Sequence, residues 1–300
     1  MAFIYNYPPY PSKIGRLSIK KQLIPLAAKY IISILCLCLA IATQAQSLSV
    51  GGFVGICNYS GDLTPSYWEL SEMHPAIGIN GTWSINRYLS LRGALQYGAV
   101  SGSDEHATNN LTRERNLHFK SSVLEGSAQV LIDFLGNHRK FIPYIYVGIS
   151  AFHFAPRAQY QGEWVALQPL GTEGQGLSQD MPRLYRLWAN ALALGGGLRY
   201  ALNDTWQMGM EAGYRRTNTD YLDDISTDYF DNDLLREKRG NMAADLADRS
   251  TEYTADKPPY IATTERGNPK IKDGYFWVGF TANYAINKQR KGEKYYCPTF

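Results

Sequence analysis

The chain has 300 residues with a net charge of +3; 45% are hydrophobic, 13% aromatic and only 19% Asp, Glu, Lys or Arg. A soluble domain usually has about a quarter of its residues charged. A nearly neutral chain with no basic stripe interleaved with stacking aromatics excludes nucleic acid as a partner. A mean hydropathy of −0.30 excludes a bundle of membrane helices.

Residues 1–29 carry Lys13, Arg16, Lys20, Lys21 and Lys29, and an apolar run, YIISILCLCLAIA, follows at 30–42. A basic region, an apolar stretch of about a dozen residues and a small-residue exit form a secretory signal, and the stretch falls short of the ~20 residues of a membrane helix. Residues 1–45 are therefore read as a cleaved leader. A lipoprotein signal on Cys36 or Cys38 would want a small residue before the cysteine, and both follow leucine. Cleavage leaves Cys57 and Cys297, either as a disulfide or as two idle thiols. No CxxC pair or zinc-like Cys/His spacing is present.

From 46 to 286 the chain reads as strands. Segments 48–58, 76–85, 88–100, 117–134, 142–154, 187–200, 206–215 and 274–286 alternate with period two. In the last, Phe276, Val278, Phe280, Ala282, Tyr284 and Ile286 share one face. Tyr275, Trp277, Gly279, Thr281 and Asn283 share the other. An apolar face toward lipid and a small or polar face toward a lumen is the pattern of a transmembrane β-barrel strand. Connections after the second, fourth and sixth segments are short, including the Asn203-Asp204 turn. The others are long: 59–75, 101–116, 155–186 and 216–273. Short turns on one rim and long loops on the other predict an all-β fold: an eight-stranded antiparallel outer-membrane barrel with both termini in the periplasm. Residues 287–300 then form a basic periplasmic tail. Arg92, Glu125, Arg199, Glu211 and Arg215 fall on the inward phase and predict a salt-bridged lumen. Eight strands leave an interior about filled by side chains, so no open pore is expected. Trp83, Tyr97, Tyr144, Trp206, Tyr214 and Tyr275, near strand ends, are the candidate aromatic girdles.

Several motifs stand outside this pattern. NYSGDL (58–63), IPYIYVGISAFHFAP (142–156), LQPLGTEGQG (167–176), GYRRTNTDYLDDISTDY (213–229), RGNPK (266–270) and CPTF (297–300) occur in this order. As a set they resemble small outer-membrane barrels of unknown function from gliding and anaerobic Gram-negative bacteria, a family that includes the PorG-type barrel associated with type IX secretion. The resemblance implies an outer-membrane location, an OmpA-like barrel and no known enzymatic activity, and no cofactor is expected. It makes outer-membrane lipid and envelope or secretion-system proteins the expected partners.

The last long loop gathers Asp220, Asp223, Asp224 and Asp228, with Asp231 and Asp233 beyond them. Alternating carboxylates can hold calcium, but no central Gly and no closing Glu complete an EF-hand. The plainer reading is a solvated loop whose aspartates cap turns. GTEGQG (171–176) lacks the GK[ST] ending of a phosphate cradle and reads as a glycine turn. His106 and His118, with Ser101, Ser103, Asp104 and Glu105, offer the materials of a hydrolase site, though no spacing demands catalysis. His153 alternates with Phe152 and Phe154 near a strand end and reads as an interface or lumen residue. Residues 232–249 have helical character, with Leu234, Leu235, Met242, Leu246 and Ala247 as candidate contacts. The reading is a non-enzymatic envelope barrel with a structural or binding role, an accessory role in a type IX-like assembly being one form of it. The rivals are a barrel hydrolase and a small pore.

Overall fold

The computed structural model describes residues 47–64, 69–136, 139–178, 180–253 and 259–286. The expected leader, the tail with Cys297, and His138 lie outside the described residues. The chain forms β1 (Ser47–Ser60), β2 (His74–Ser84), β3 (Leu89–Ser103), β4 (His118–Asp133), β5 (Phe141–Tyr160), β6 (Glu163–Ala166), β7 (Trp188–Ala201), β8 (Trp206–Thr217) and β9 (Gly274–Ala285). Every ladder is antiparallel. Each of β1 to β5 pairs with the next, β5 pairs with β7, β7 with β8 and β8 with β9, and β9 returns to β1 from Ser49↔Ala285 to Ser60↔Gly274. Eight strands therefore close on themselves, and β6 stands outside the ring, paired only with β5.

Side-chain burial is inverted relative to a soluble protein. Outward Val54, Ile79, Ile149, Met210 and Phe280 are 58–70% exposed, while inward Glu125 and Arg215 are fully buried. A closed ladder satisfies every backbone donor and acceptor, and an apolar exterior then suits hydrocarbon. Bulky aromatics edge this surface. Trp206 meets Tyr284 at 5.2 Å and Phe141 meets Tyr200 at 4.9 Å on the short-turn rim. His153 meets Trp188 at 5.3 Å and Tyr214 meets Phe276 at 4.7 Å on the other. Two expected girdle residues are corrected: Tyr144 and Tyr275 are buried in the lumen. Each shares the inward phase, and its hydroxyl finds a carboxylate there. Glycine makes room for this filling. A Cβ on Gly213 would stand 1.8 Å from the Tyr146 hydroxyl, and one on Gly195 2.5 Å from it.

The strand predicted to end at 154 runs on to Tyr160 and folds back as β6 through Gln161 and Gly162, both with left-handed backbone. About ten residues of a tilted strand cross a bilayer. At 20 residues, β5 projects well beyond that span. The long connections also fold: α1 (Asn110–Arg115) lies between β3 and β4, and α2 (Asn232–Arg239), α3 (Asn241–Ala247) and α4 (Ser250–Tyr253) lie between β8 and β9. Leu235, Leu246 and Ala247 are buried as the helical pattern requires, whereas Leu234 and Met242 are exposed.

Candidate functional site

The lumen is built from the inward phase of all eight strands. Near the short turns Arg199 pairs with Asp133 and stacks over the Tyr144 ring. Above it the Arg92 guanidinium grips both oxygens of Glu211 at 2.5 and 3.0 Å and donates to Gln129 at 2.7 Å. Tyr144 donates to Glu211 at 2.5 Å. Higher still, Arg215 Nε lies 2.9 and 3.1 Å from the two Glu125 oxygens. Its other nitrogens donate to Tyr146 at 3.0 Å and Gln96 at 3.1 Å. Tyr275 and the Trp277 indole donate to Glu125 at 2.7 and 3.0 Å. Arg92, Glu125, Arg199, Glu211 and Arg215 thus all lie inside, but as three separate pairs. Arg199 takes Asp133, a partner identifiable from its inward phase on β4. A buried layer of Cys57, Tyr59, Phe119, Phe152 and Phe154 closes the stack above. Cys57 is a free thiol, and its partnership with Cys297 lies outside the described residues.

Above the barrel the long loops pack as one cap. The apolar core of the upper barrel continues into Leu63, Leu167, Leu222, Ile225 and Leu246. Phe154, Tyr185 and Tyr221 stack in a column with centroids 6.2 and 4.6 Å apart. Arg266, fully enclosed, reaches Glu173 at 2.9 Å and the Asp224 carbonyl at 2.7 Å. Arg115 reaches Asp104 at 2.7 Å and the carbonyls of Asp62 and Arg266 at 3.0 and 2.5 Å. These two arginines join all four long connections.

The acidic loop is therefore not the solvated one expected. Asp220, Asp223 and Asp224 are buried, whereas Asp228, whose backbone forms a β-bridge with Glu265, and Asp231 and Asp233 beyond it are exposed. Asp224 accepts from Thr172 and Tyr185, each at 2.6 Å. Asp220 accepts from Ser226 at 2.8 Å. Burial pushes both carboxyls up to about 6. Asp223 and Asp273 lie 2.5 and 2.8 Å from the same Tyr59 hydroxyl and accept the amides of Ile225 and Leu222. Burial first, then repulsion from Asp273 and Asp62 on Asp223 and from Asp220 and Asp62 on Asp273, raises both well above the usual carboxylate range. Their oxygens face hydroxyls and amides rather than a common centre, and no metal-ligating group of three or more forms among the described residues. GTEGQG is a glycine turn, with Gly171, Gly174 and Gly176 in left-handed backbone, and its Glu173 is the ion partner of Arg266.

One open cleft, about 480 Å³, lies on the cap where β4, β5 and β6 rise past the apolar exterior. It contains Ser101, Ser103, Glu105 and His118, while Asp104 turns away to Arg115. Ser101 meets His74 Nε2 at 2.8 Å and also Glu72, so the carboxylate holds the serine rather than the imidazole. That arrangement cannot orient His74 as a base. His118 is held against Arg249 at 3.1 Å, and His106 lies 3.8 Å from Glu72.

Comparison with known proteins adds a family but no activity. No curated protein matches the sequence. Solved structures that resemble it include Neisserial surface protein A, 10% identical over 79% of this chain and 96% of that one, TM-score 0.39. Others are Ail, the attachment invasion locus protein of Yersinia pestis, at 7% over 81% and 100%, TM-score 0.40, and OprG from Pseudomonas aeruginosa, at 10% over 80% and 96%, TM-score 0.39. Residues 28–254 match the family described as Domain of unknown function (DUF6089). The match covers most of the sequence, and the chain belongs to the DUF6089 family.

Proposed function

We propose that the chain is a non-enzymatic outer-membrane protein of a Gram-negative bacterium that anchors a rigid binding cap on the cell exterior. Residues 1–45 serve as the cleaved leader, and residues 287–300 form a periplasmic tail. The observation that carries this reading is the pairing of a filled lumen with a folded cap. Three ion pairs and an aromatic layer fill the interior, and the cavity beside Arg92, Gln129 and Glu211 holds only about 10 Å³. A channel of this design would carry no solute. The cap, by contrast, is built from long connections that a passive plug would not need. The cleft lacks a serine–imidazole–carboxylate relay, which favours binding over hydrolysis. A role as accessory to a type IX-like secretion assembly rests on the loop motifs alone.

Liposome conductance tests the sealed lumen. The refolded protein is expected to give no steady single-channel current, and a reproducible current would overturn the reading. Pull-down from crosslinked envelopes tests the secretion role. Recovery of secretion-system subunits supports it, and their absence removes it while leaving the binding cap intact.

A further inference from the structure

The cleft on the cap has a composition that narrows its ligand. Trp164 on β6 and Tyr253 on α4 line it and are 45% and 50% exposed. Large aromatics exposed around a concavity, rather than singly on a convex surface, mark a recognition site. Gln159, Glu105, Lys120 and Arg113 also line the cleft. Arg113 Nη2 donates to the Ala107 carbonyl at 3.0 Å, whereas its buried Nε has no partner among the described residues.

We propose that this cleft binds a saccharide. A pyranose ring presents a face of C–H groups that packs on an aromatic surface, and its hydroxyls both donate and accept. Trp164 and Tyr253 supply the aromatic surface, Glu105 accepts, Lys120 and Arg113 donate, and the Gln159 amide does both. A polyanion would select cations unmixed with carboxylates, and an acyl chain would select an apolar lining. Lys120 lies four residues above Leu124, which pairs with His153 in the aromatic rim. The cleft therefore begins about 13 Å beyond that rim measured along the tilted strand, at 3.3 Å per residue. At that height it can receive either the sugar headgroup of a glycolipid beside the barrel or a free oligosaccharide.

This inference rests on the cap facing outward, and the test separates the two. In intact cells, Trp164→Cys should react with a membrane-impermeant maleimide. Failure to label would remove the outward cap and this proposal with it. The full-length protein in plain phospholipid nanodiscs is then titrated with neutral oligosaccharides (maltoheptaose and a chitin hexamer). Parallel nanodiscs contain rough lipopolysaccharide. Binding is read by calorimetry for the soluble sugars and by tryptophan fluorescence for the glycolipid. Binding of the soluble sugars assigns a free glycan, whereas a response only to the glycolipid assigns a headgroup. Either should weaken at least tenfold in Trp164→Ala and remain unchanged in Trp188→Ala, which removes an exposed indole outside the cleft. Surface labelling with no binding of either class, or binding that Trp164→Ala leaves unchanged, would overturn the saccharide site alone.

Discussion

The lumen and the cap both bury carboxylates, and they neutralise them differently. In the lumen each one faces a guanidinium: Glu125 with Arg215, Glu211 with Arg92 and Asp133 with Arg199. In the cap, Glu173 and Asp104 follow that rule with Arg266 and Arg115. Asp223 and Asp273 do not; they share Tyr59 and two backbone amides, with no cation in contact among the described residues. Tyr59 has one proton to donate and two carboxyl neighbours. The second short contact requires a carboxyl to donate back, so the cluster holds an extra proton. Burial can therefore be balanced by a fixed countercharge, which is indifferent to pH across the neutral range, or by a proton, which is not.

The largest expected effect comes from breaking a fixed pair. Arg215→Leu leaves Glu125 enclosed, still bonded by Tyr275 and Trp277 but without its cation. Removing one partner of a buried pair costs ~3–5 kcal/mol. The urea midpoint of the refolded barrel should fall accordingly, read by loss of its heat-modifiable gel mobility. Arg215→Leu combined with Glu125→Leu should recover a large part of the loss. If the double variant lost the sum of the two single losses, the countercharge would not be the cause.

The proton-balanced cluster is next. Between the ordinary Asp pKa of about 3.9 and the raised value in the cap, the folded state holds a proton that the unfolded state has released. The unfolded state then binds fewer protons, so stability falls as pH rises, by up to ~1.4 kcal/mol per pH unit for one proton. The contribution is complete below pH 4 and is lost upward from there. Asp62, Asp220 and Glu173 add negative charge around the cluster, and Arg115, Arg266 and Lys272 oppose it. Asp223→Asn supplies the missing donor permanently, its amide nitrogen facing Tyr59 and its oxygen still accepting Ile225. Hydrogen exchange at Leu222 and Ile225, corrected for intrinsic rate, should accelerate from pH 5 to 8 in the wild type. It should do so much less in Asp223→Asn. Equal pH slopes would place the proton elsewhere, Asp220 and Asp224 being the remaining carboxyls pushed up to about 6.

Packing in the lumen supplies a smaller effect. Gly213→Ala drives a methyl to 1.8 Å from the Tyr146 hydroxyl, which Arg215 also uses. Overpacking costs ~1–3 kcal/mol. Tyr146→Phe removes the obstructing oxygen and should relieve most of that loss in the pair, measured by the same urea midpoint. A double variant no better than Gly213→Ala would mean that the backbone of β8, not the ring, resists the methyl.

The barrel was legible because membrane strands repeat every two residues, so phase alone sorts lipid from lumen. The eight strand positions, the β1–β9 closure and the alternation of short and long connections follow from it. Where phase was set aside, the reading failed. Tyr144 is in phase with Ile142 and Tyr146, and its place near a strand end suggested a girdle. The last six residues of β5, 155–160, fall in the segment expected as loop, where Pro156, Arg157 and Gln159 interrupt the apolar run. Its inward face, Phe152, Phe154, Pro156 and Ala158, keeps the period without a break. Beyond the bilayer only the inner face remains apolar. The cap was illegible for a different reason. Arg266 finds Glu173 across 93 residues and Tyr59 finds Asp273 across 214, and no local spacing encodes such contacts. Its aspartates therefore looked solvated, although Tyr59, Tyr185 and Thr172 supply hydroxyls to bury them.

The smallest expected effect separates burial from bond length as the source of the lumen's sensitivity. Arg236 reaches Asp245 at 2.8 Å, as close as Arg215 reaches Glu125. Yet its side chain is 41% exposed and that of Asp245 34%. Water already solvates both charges, so the pair gains little from meeting and little is stranded when it is broken. Exposed pairs contribute roughly 0.2–1 kcal/mol, reduced further by salt. Tyr160 also continues to donate to Asp245 at 2.9 Å after the arginine is gone. Arg236→Ala should therefore shift the urea midpoint by less than a quarter of the Arg215→Leu shift, and the difference from wild type should shrink in 1 M salt. A loss matching Arg215→Leu would mean that α2 and α3 depend on this contact as the barrel depends on its buried pairs, and the distinction between enclosed and solvated charge would no longer divide the molecule.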